Sequence, residues 1–232
     1  MFKIQQHAQH AMYSSQKFVY NVIRNHSVKL SRNLSTSTSN IPKLRIVMDL
    51  DECMVHTSGM VDRNNEIHIK HVSNIGAIFI DDFAVTERPG VHSFLDEISQ
   101  FADIYAYTAG TEGYASHVFK HLDPHGKIFK KLLFRDSCVR TMDGQYRKDL
   151  KKFGDNVYIP ERTVLIDNNP TSFVIQPKNG ILIPDFFEYK EDEEKDTHLH
   201  TYALPILKQI VNVEDIRPIL MGHMKIAIEK YR

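Results

Sequence analysis

The sequence lacks tryptophan altogether and has only two cysteines, Cys53 and Cys138, among 232 residues. Two thiols exclude a disulfide framework and a thiolate zinc module. No apolar run approaches the roughly 18–20 residues that span a bilayer, so no transmembrane helix is expected. The formal net charge is zero, from 29 basic and 29 acidic side chains. A neutral chain has no global pull toward nucleic acid. Hydrophobic residues at 42% and charged residues at 25% exclude a wholly disordered chain.

Acidic residues are also missing from the first 48 positions, which hold Lys3, Lys17, Arg24, Lys29, Arg32, Lys43 and Arg45. The rest of the chain carries 22 basic and 29 acidic groups. The zero is therefore a cancellation between a +7 leader and a −7 remainder. Met12, Phe18, Val19, Val22 and Ile23 fall on one arc of a helix, opposite Lys17, Asn21 and Arg24. A basic, hydroxyl-rich, acid-poor amphipathic leader has the composition of an organellar transit peptide. Arg32-Asn33-Leu34-Ser35 resembles a mitochondrial processing site. The expected organisation is a disordered mitochondrial transit peptide over 1–40 and one globular domain over 41–232.

Within that domain, short apolar runs alternate with helical patterns. Strands are expected at 44–48, 102–107, 132–134 and 163–166, and helices at 91–100, 114–122 and 202–211. Residues 66–72 and 77–85, with a turn at 73–76, read as a β-hairpin. The alternation points to an α/β fold with a central, mostly parallel sheet. Ligands bind such sheets outside the carboxyl ends of the strands. Three apolar runs end in Asp49-Leu50-Asp51, Thr108 and Asp167-Asn168. As adjacent parallel strands they would bring these groups into one crevice.

Two carboxylates leaving a buried strand suit a hard cation such as Mg²⁺. A carboxylate can also attack phosphorus, while a second protonates the leaving oxygen. Thr108 offers a hydroxyl and Lys148 a positive charge for a phosphoryl group. Asp167 and Asn168 can complete a metal shell. The spacings between Asp49, Thr108, Lys148 and Asp167 are 59, 40 and 19 residues.

Asp49-Leu50-Asp51-Glu52-Cys53-Met54-Val55-His56-Thr57 resembles the signature of the FCP-type phosphatases of the haloacid dehalogenase (HAD) superfamily. That branch includes small phosphatases of the RNA polymerase II C-terminal domain and Dullard-like phosphatases. The resemblance continues through Arg88-Pro89-Gly90, Tyr107-Thr108-Ala109-Gly110, Leu133-Phe134-Arg135-Asp136, Tyr146-Arg147-Lys148-Asp149 and Asp167-Asn168-Asn169-Pro170. It implies a HAD-like Rossmannoid domain with a β-hairpin insert near the active site. It implies Asp49 as nucleophile, Asp51 as general acid/base, and Thr108 and Lys148 as phosphoryl-binding groups. Mg²⁺ would be held by Asp49, Asp51 through its backbone carbonyl, and Asn168, with Asp167 in support. The implied substrate is a phosphoprotein carrying phosphoserine or phosphothreonine.

Cys53, Gly110 and Asn169 depart from the family pattern, which usually has Thr, Ser and Ser there. The sequence also resembles the mitochondrial presequence receptor of the inner-membrane translocase, which uses the same domain to bind rather than to catalyse. That reading implies presequence peptides or translocase subunits as partners, at the inner membrane or in the intermembrane space. His117, His121 and His125 are spaced by four. No carboxylate partner is evident for them in sequence, so they read as an exposed helix face.

Overall fold

The computed structural model describes residues 41–60, 77–80, 82–142, 144–187 and 196–230. The leader and the expected strand at 66–72 with its turn lie outside them.

Five strands form one parallel sheet: β1 (Leu44–Met48), β5 (Ala102–Tyr107), β6 (Phe129–Leu133), β9 (Thr163–Asp167) and β10 (Gly180–Leu182). Their spatial order is β10-β9-β1-β5-β6. The chain builds outward from β1 through β5 to β6, then returns to place β9 on the other flank of β1. The strand order reverses beside β1, and such a reversal opens a crevice at the carboxyl edge. Both neighbours of β1 are buried against it, so β1 is apolar along nearly its whole length.

Side chains alternate between the two sheet faces. Val47, Tyr105, Tyr107, Leu133, Leu165 and Leu182 share one face. They pack with Phe153, Phe173 and Met224. Ile46, Met48, Ile104, Ala106, Val164 and Ile166 take the other face and are also buried. Helix α1 (Val91–Ser99) buries Val91, Phe94, Leu95 and Ile98, and α2 (Glu112–Leu122) buries Ala115, Val118, Phe119 and Leu122. Helices α3 (Leu204–Ile210) and α4 (Arg217–Lys230) close the chain. Just ahead of α4, the Asp215 carboxylate accepts from the Arg217 amide at 3.1 Å, satisfying the first free amide of the helix.

The insert differs from the expected hairpin. Residues 77–85 are not one strand. They form β3 (Ile78–Ile80) and β4 (Phe83–Glu87), which pair antiparallel with Ile80 opposite Phe83. Between Ile80 and Phe83 the sequence has two aspartates, a residue type that favours turns over strand interiors. The partner of β4 on its other side is β2 (Val55–Met60), immediately after the Asp49–Asp51 segment. The described insert is thus a three-stranded sheet, β2-β4-β3. A register shift between Thr57 and Gly59 bends β2, and Gly59 supplies the φ of 106° found there. A second small ribbon, β7 (Val139–Arg140) with β8 (Tyr146–Arg147), leads into Lys148.

Two buried arginines lock the loops. Arg88 is fully buried and pairs in a two-pronged manner with Asp196 at 2.8 and 2.9 Å. It also donates to the carbonyls of Cys53 and Pro184. Asp196 ends an acidic, charge-dense stretch, residues 185–196, of a kind that is usually solvated. Instead, its carboxyl is drawn well below the usual carboxylate range: burial opposes ionisation, but His198 and Arg88 overcome it. Arg162 donates to the carbonyls of Ile210, Val211 and Val213, capping the end of α3.

Candidate active site

Parallel registry carries the site residues to one edge. Met48 lies level with Ala106 on one side and Ile166 on the other. Asp49 is therefore level with the end of β5 and with Asp167, and its amide donates to the Ile166 carbonyl at 3.0 Å. The residues anticipated from sequence, Asp49, Asp51, Thr108, Lys148, Asp167 and Asn168, all line a single cleft of about 640 Å³.

Lys148 is the electrostatic centre. Its Nζ donates to Asp49 Oδ1 at 2.5 Å and to Asp167 Oδ2 at 2.6 Å. Lys148 is only 2% exposed and Asp167 is fully buried. Burial works against the lysine charge, but Asp167 and Asp49 together hold its pKa above the ordinary value. Burial and the like charge of Asp167 push Asp49 above the usual carboxylate range, with Lys148 opposing them. When both carboxyls are ionised, the one lysine charge between them leaves a net negative charge. Such a site gains from a further positive charge.

The second oxygen of Asp167 accepts from the Asn169 amide at 2.7 Å, which fixes its orientation. Asn169 in turn accepts from the Thr171 amide at 3.0 Å and the Thr171 hydroxyl at 2.8 Å, capping a short turn over Pro170–Phe173. Serine and asparagine are nearly equivalent caps, so this departure from the family pattern keeps its local role. Asn168 Nδ2 donates to Asp185 at 2.8 Å. Its Oδ1 is buried and has no hydrogen-bond partner among the described residues. An orphaned acceptor beside buried carboxylates fits a hard, oxygen-seeking cation.

Asp51 sits in a tight loop in which the amides of Cys53, Met54 and Val55 all turn back to the Leu50 carbonyl. Glu52 adopts a left-handed φ of 54° to close it. The Tyr114 hydroxyl donates to Asp51 Oδ1 at 2.6 Å. Burial raises the Asp51 pKa; the Tyr114 hydrogen bond works in the lowering direction. A carboxyl held above its ordinary pKa is suited to carry a proton to a leaving group. Thr108 is buried, and its Oγ1 accepts from the Gly110 amide at 2.8 Å. The Thr108 hydroxyl also hydrogen-bonds to the Asp51 carboxyl, which works in the lowering direction on that group. A Cβ on Gly110 would lie 3.2 Å from Thr108 Oγ1 and 3.4 Å from Asp51 Oδ2. Glycine here leaves the approach to both groups open.

Two participants were not assigned a role from sequence. Tyr114 lies at the start of α2 with no motif to mark it, and only the fold brings it to Asp51. Arg135 lines the cleft, donates to the Ala109 carbonyl at 2.6 Å and stacks on Tyr146 at 5.3 Å. Phe83 of the insert lines the same cleft and packs edge-on against Tyr114 at 5.2 Å. Cys53 is fully buried, with its thiol 3.7 Å from the Ile166 carbonyl. Burial, reinforced by Asp49 and Asp167, pushes its pKa well up, so it is an inert core thiol. Cys53 and Cys138 are both free.

The family model for NLI interacting factor-like phosphatases matches residues 44–217. A CTD small phosphatase-like protein 2 from Dictyostelium discoideum is 36% identical over 185 residues, covering 80% of this chain and 30% of that protein. The human carboxy-terminal domain RNA polymerase II polypeptide A small phosphatase 1 is 34% identical over 178 residues, covering 77% and 63%. The chain spans less than two thirds of the length of these relatives. Among solved structures, Fcp1, an RNA polymerase II CTD phosphatase, aligns with a TM-score of 0.49 at 20% identity, covering 81% of this chain and 52% of that one.

Proposed function

The chain belongs to the NLI interacting factor-like phosphatase family, and from that premise we propose that it hydrolyses phosphate monoesters through an aspartyl-phosphate on Asp49. The observation that carries this reading is the buried Asp49–Lys148–Asp167 cluster at the carboxyl edge of β1 and β9, with Asp51 and Thr108 in the same cleft.

Asp49 attacks phosphorus with a carboxylate oxygen. Lys148 and the Thr108 hydroxyl stabilise the equatorial oxygens as charge spreads over them. Asp51 gives its proton to the leaving oxygen as the P–O bond breaks, then takes a proton from water for attack on the acyl phosphate. Tyr114 holds Asp51 in position for both steps. Asp49, Asn168 Oδ1 and the Asp51 backbone carbonyl would hold Mg²⁺, with Asp167 in support. When bound, the ion supplies the further positive charge that this site and a phosphate dianion call for.

The human relative is named as a small phosphatase of the RNA polymerase II carboxy-terminal domain. For this chain we infer the wider class, phosphoserine or phosphothreonine in a protein. The acid-free leader supports a mitochondrial address. No helix among the described residues is long and apolar enough to cross a membrane. No observation on the described residues favours the receptor reading over the enzyme.

The test is turnover of an aryl phosphate with Mg²⁺ by the full chain, beside Asp49→Asn. Turnover that disappears in the variant supports catalysis. A fold-competent wild type without turnover, binding a basic amphipathic presequence peptide, would favour the receptor. A fluorescent fusion of residues 1–40 tests the address, and a diffuse cytosolic signal refutes it.

A further inference from the structure

His121 is matched by sequence spacing with His117 and His125. The fold matches it instead with two residues from other elements. Glu87, the last residue of β4, places one carboxylate oxygen 2.8 Å from His121 Nε2 and 2.9 Å from His92 Nε2. His92 stands in the first turn of α1 and His121 in the last turn of α2. The three ligand atoms all lie within 4.8 Å of one another. None of these residues lines the catalytic cleft.

We propose that Glu87, His92 and His121 form a second metal site, selective for a zinc-class transition ion. Two imidazoles and one carboxylate are a ligand set that suits zinc, cobalt or nickel, whereas Mg²⁺ prefers all-oxygen shells. Zinc takes His nitrogen at about 2.0–2.1 Å and carboxylate oxygen at about 2.0–2.2 Å, which sets tetrahedral ligand atoms about 3.3 Å apart. The Glu87 oxygen is already near that distance from each nitrogen, so an ion needs only small rotations of two half-exposed imidazoles. Both rings converge on one oxygen through Nε2, leaving Nδ1 to face other partners. Three protein ligands leave a fourth position for water.

The three ligands come from separate, regular elements, so their backbones are held by the fold. The ion would replace the two imidazole protons that now point at Glu87 and tie β4 to α1 and α2. Those ties reach the cleft, because β4 carries Phe83 and α2 carries Tyr114. The insert sheet and the helix that positions Asp51 would then be clamped together from outside.

The experiment is a Zn²⁺ titration of the full, untagged chain against a chromophoric chelator, with Mg²⁺ in excess to occupy oxygen sites. Thermal melts with and without Zn²⁺ are run in parallel. One equivalent of Zn²⁺ should bind and raise Tm, since a ligand specific for the folded state stabilises it. His92→Ala and His121→Ala should each weaken that binding at least about tenfold and abolish the Tm rise. His92→Gln keeps a donor for Glu87 without an imidazole ligand, so it should fold as the wild type and still lose the ion. No Zn²⁺ binding by the wild type up to about 100 μM, weaker than any useful site of this type, would overturn the proposal. Binding that is unchanged in His92→Gln and His121→Ala would overturn it equally.

Discussion

Replacing Lys148 by Met keeps the aliphatic stem but removes the only charge between two buried carboxylates. Asp49 and Asp167 contact the same nitrogen at 2.5 and 2.6 Å, so their oxygens are no more than about 5 Å apart. At an effective dielectric constant of about 20, two like charges at that distance repel by about 3 kcal/mol. Leaving a buried charge uncompensated has a typical total cost of about 3–5 kcal/mol. The folded variant escapes part of this by protonating one carboxyl, whose pKa in the fold rises above its unfolded value. A carboxyl with a raised folded pKa disfavours folding once it must ionise. The deficit should therefore be largest above that pKa and shrink as the pH falls. Urea unfolding of Lys148→Met and wild type at pH 8 and pH 6, with a chelator present, reads this directly. Turnover at neutral pH should fall by about 10²–10³, the usual loss for one transition-state donor. A variant as stable as wild type at pH 8, or one whose deficit grows on acidification, would refute the argument.

Gly180→Ala places a Cβ 2.3 Å from Phe173 and 2.5 Å from Met224, so melting or urea curves should show a loss of about 1–3 kcal/mol from overpacking. Asp123 accepts from the amides of Lys127, Ile128 and Phe129. Burial opposes its charge, but these bonds hold its pKa below the ordinary 3.8. The folded pKa is depressed, so its contribution is present above about pH 4 and is lost as pH falls through the folded value. The stability gap between wild type and Asp123→Ala should be steady at neutral pH, about 1–3 kcal/mol, and narrow below about pH 4 in urea titrations. Tyr114→Phe removes the donor to Asp51, so kcat should fall about tenfold. The Asp51 limb of the pH–rate profile should move upward. Unchanged kcat and an unmoved limb would remove Tyr114 from the mechanism.

The convergence of Asp49, Thr108 and Asp167 on one cleft was legible because strand ends and chemistry coincide. Asp49, Thr108 and Asp167 each follow an apolar run, and parallel pairing aligns those ends. Lys148 follows no apolar strand run; its charge made it a candidate, the resemblance implied its role, and the β7–β8 ribbon leads into it. The β2 strand was not anticipated because Val-His-Thr-Ser-Gly-Met has too few apolar residues to declare a buried face, and its pairing with β4 is long-range. The same applies to β10, whose three residues are too short for a periodicity. Tyr114 and the Glu87–His92–His121 cluster depend on tertiary placement that no local pattern encodes. Asp196 sat in a charge run that resembles solvent-facing loop, and only the fully buried Arg88 shows why that one carboxylate turns inward.

The central claim is that Asp49 forms a covalent bond to phosphorus. Full chain mixed with an aryl phosphate and Mg²⁺, quenched in acid within the first turnover and digested, gives the answer by peptide mass spectrometry. The account predicts one added phosphoryl group on the peptide carrying Asp49, labile to hydroxylamine and absent in Asp49→Asn. Turnover with the phosphoryl group trapped on another residue, or burst-free turnover that survives in Asp49→Asn, would contradict it.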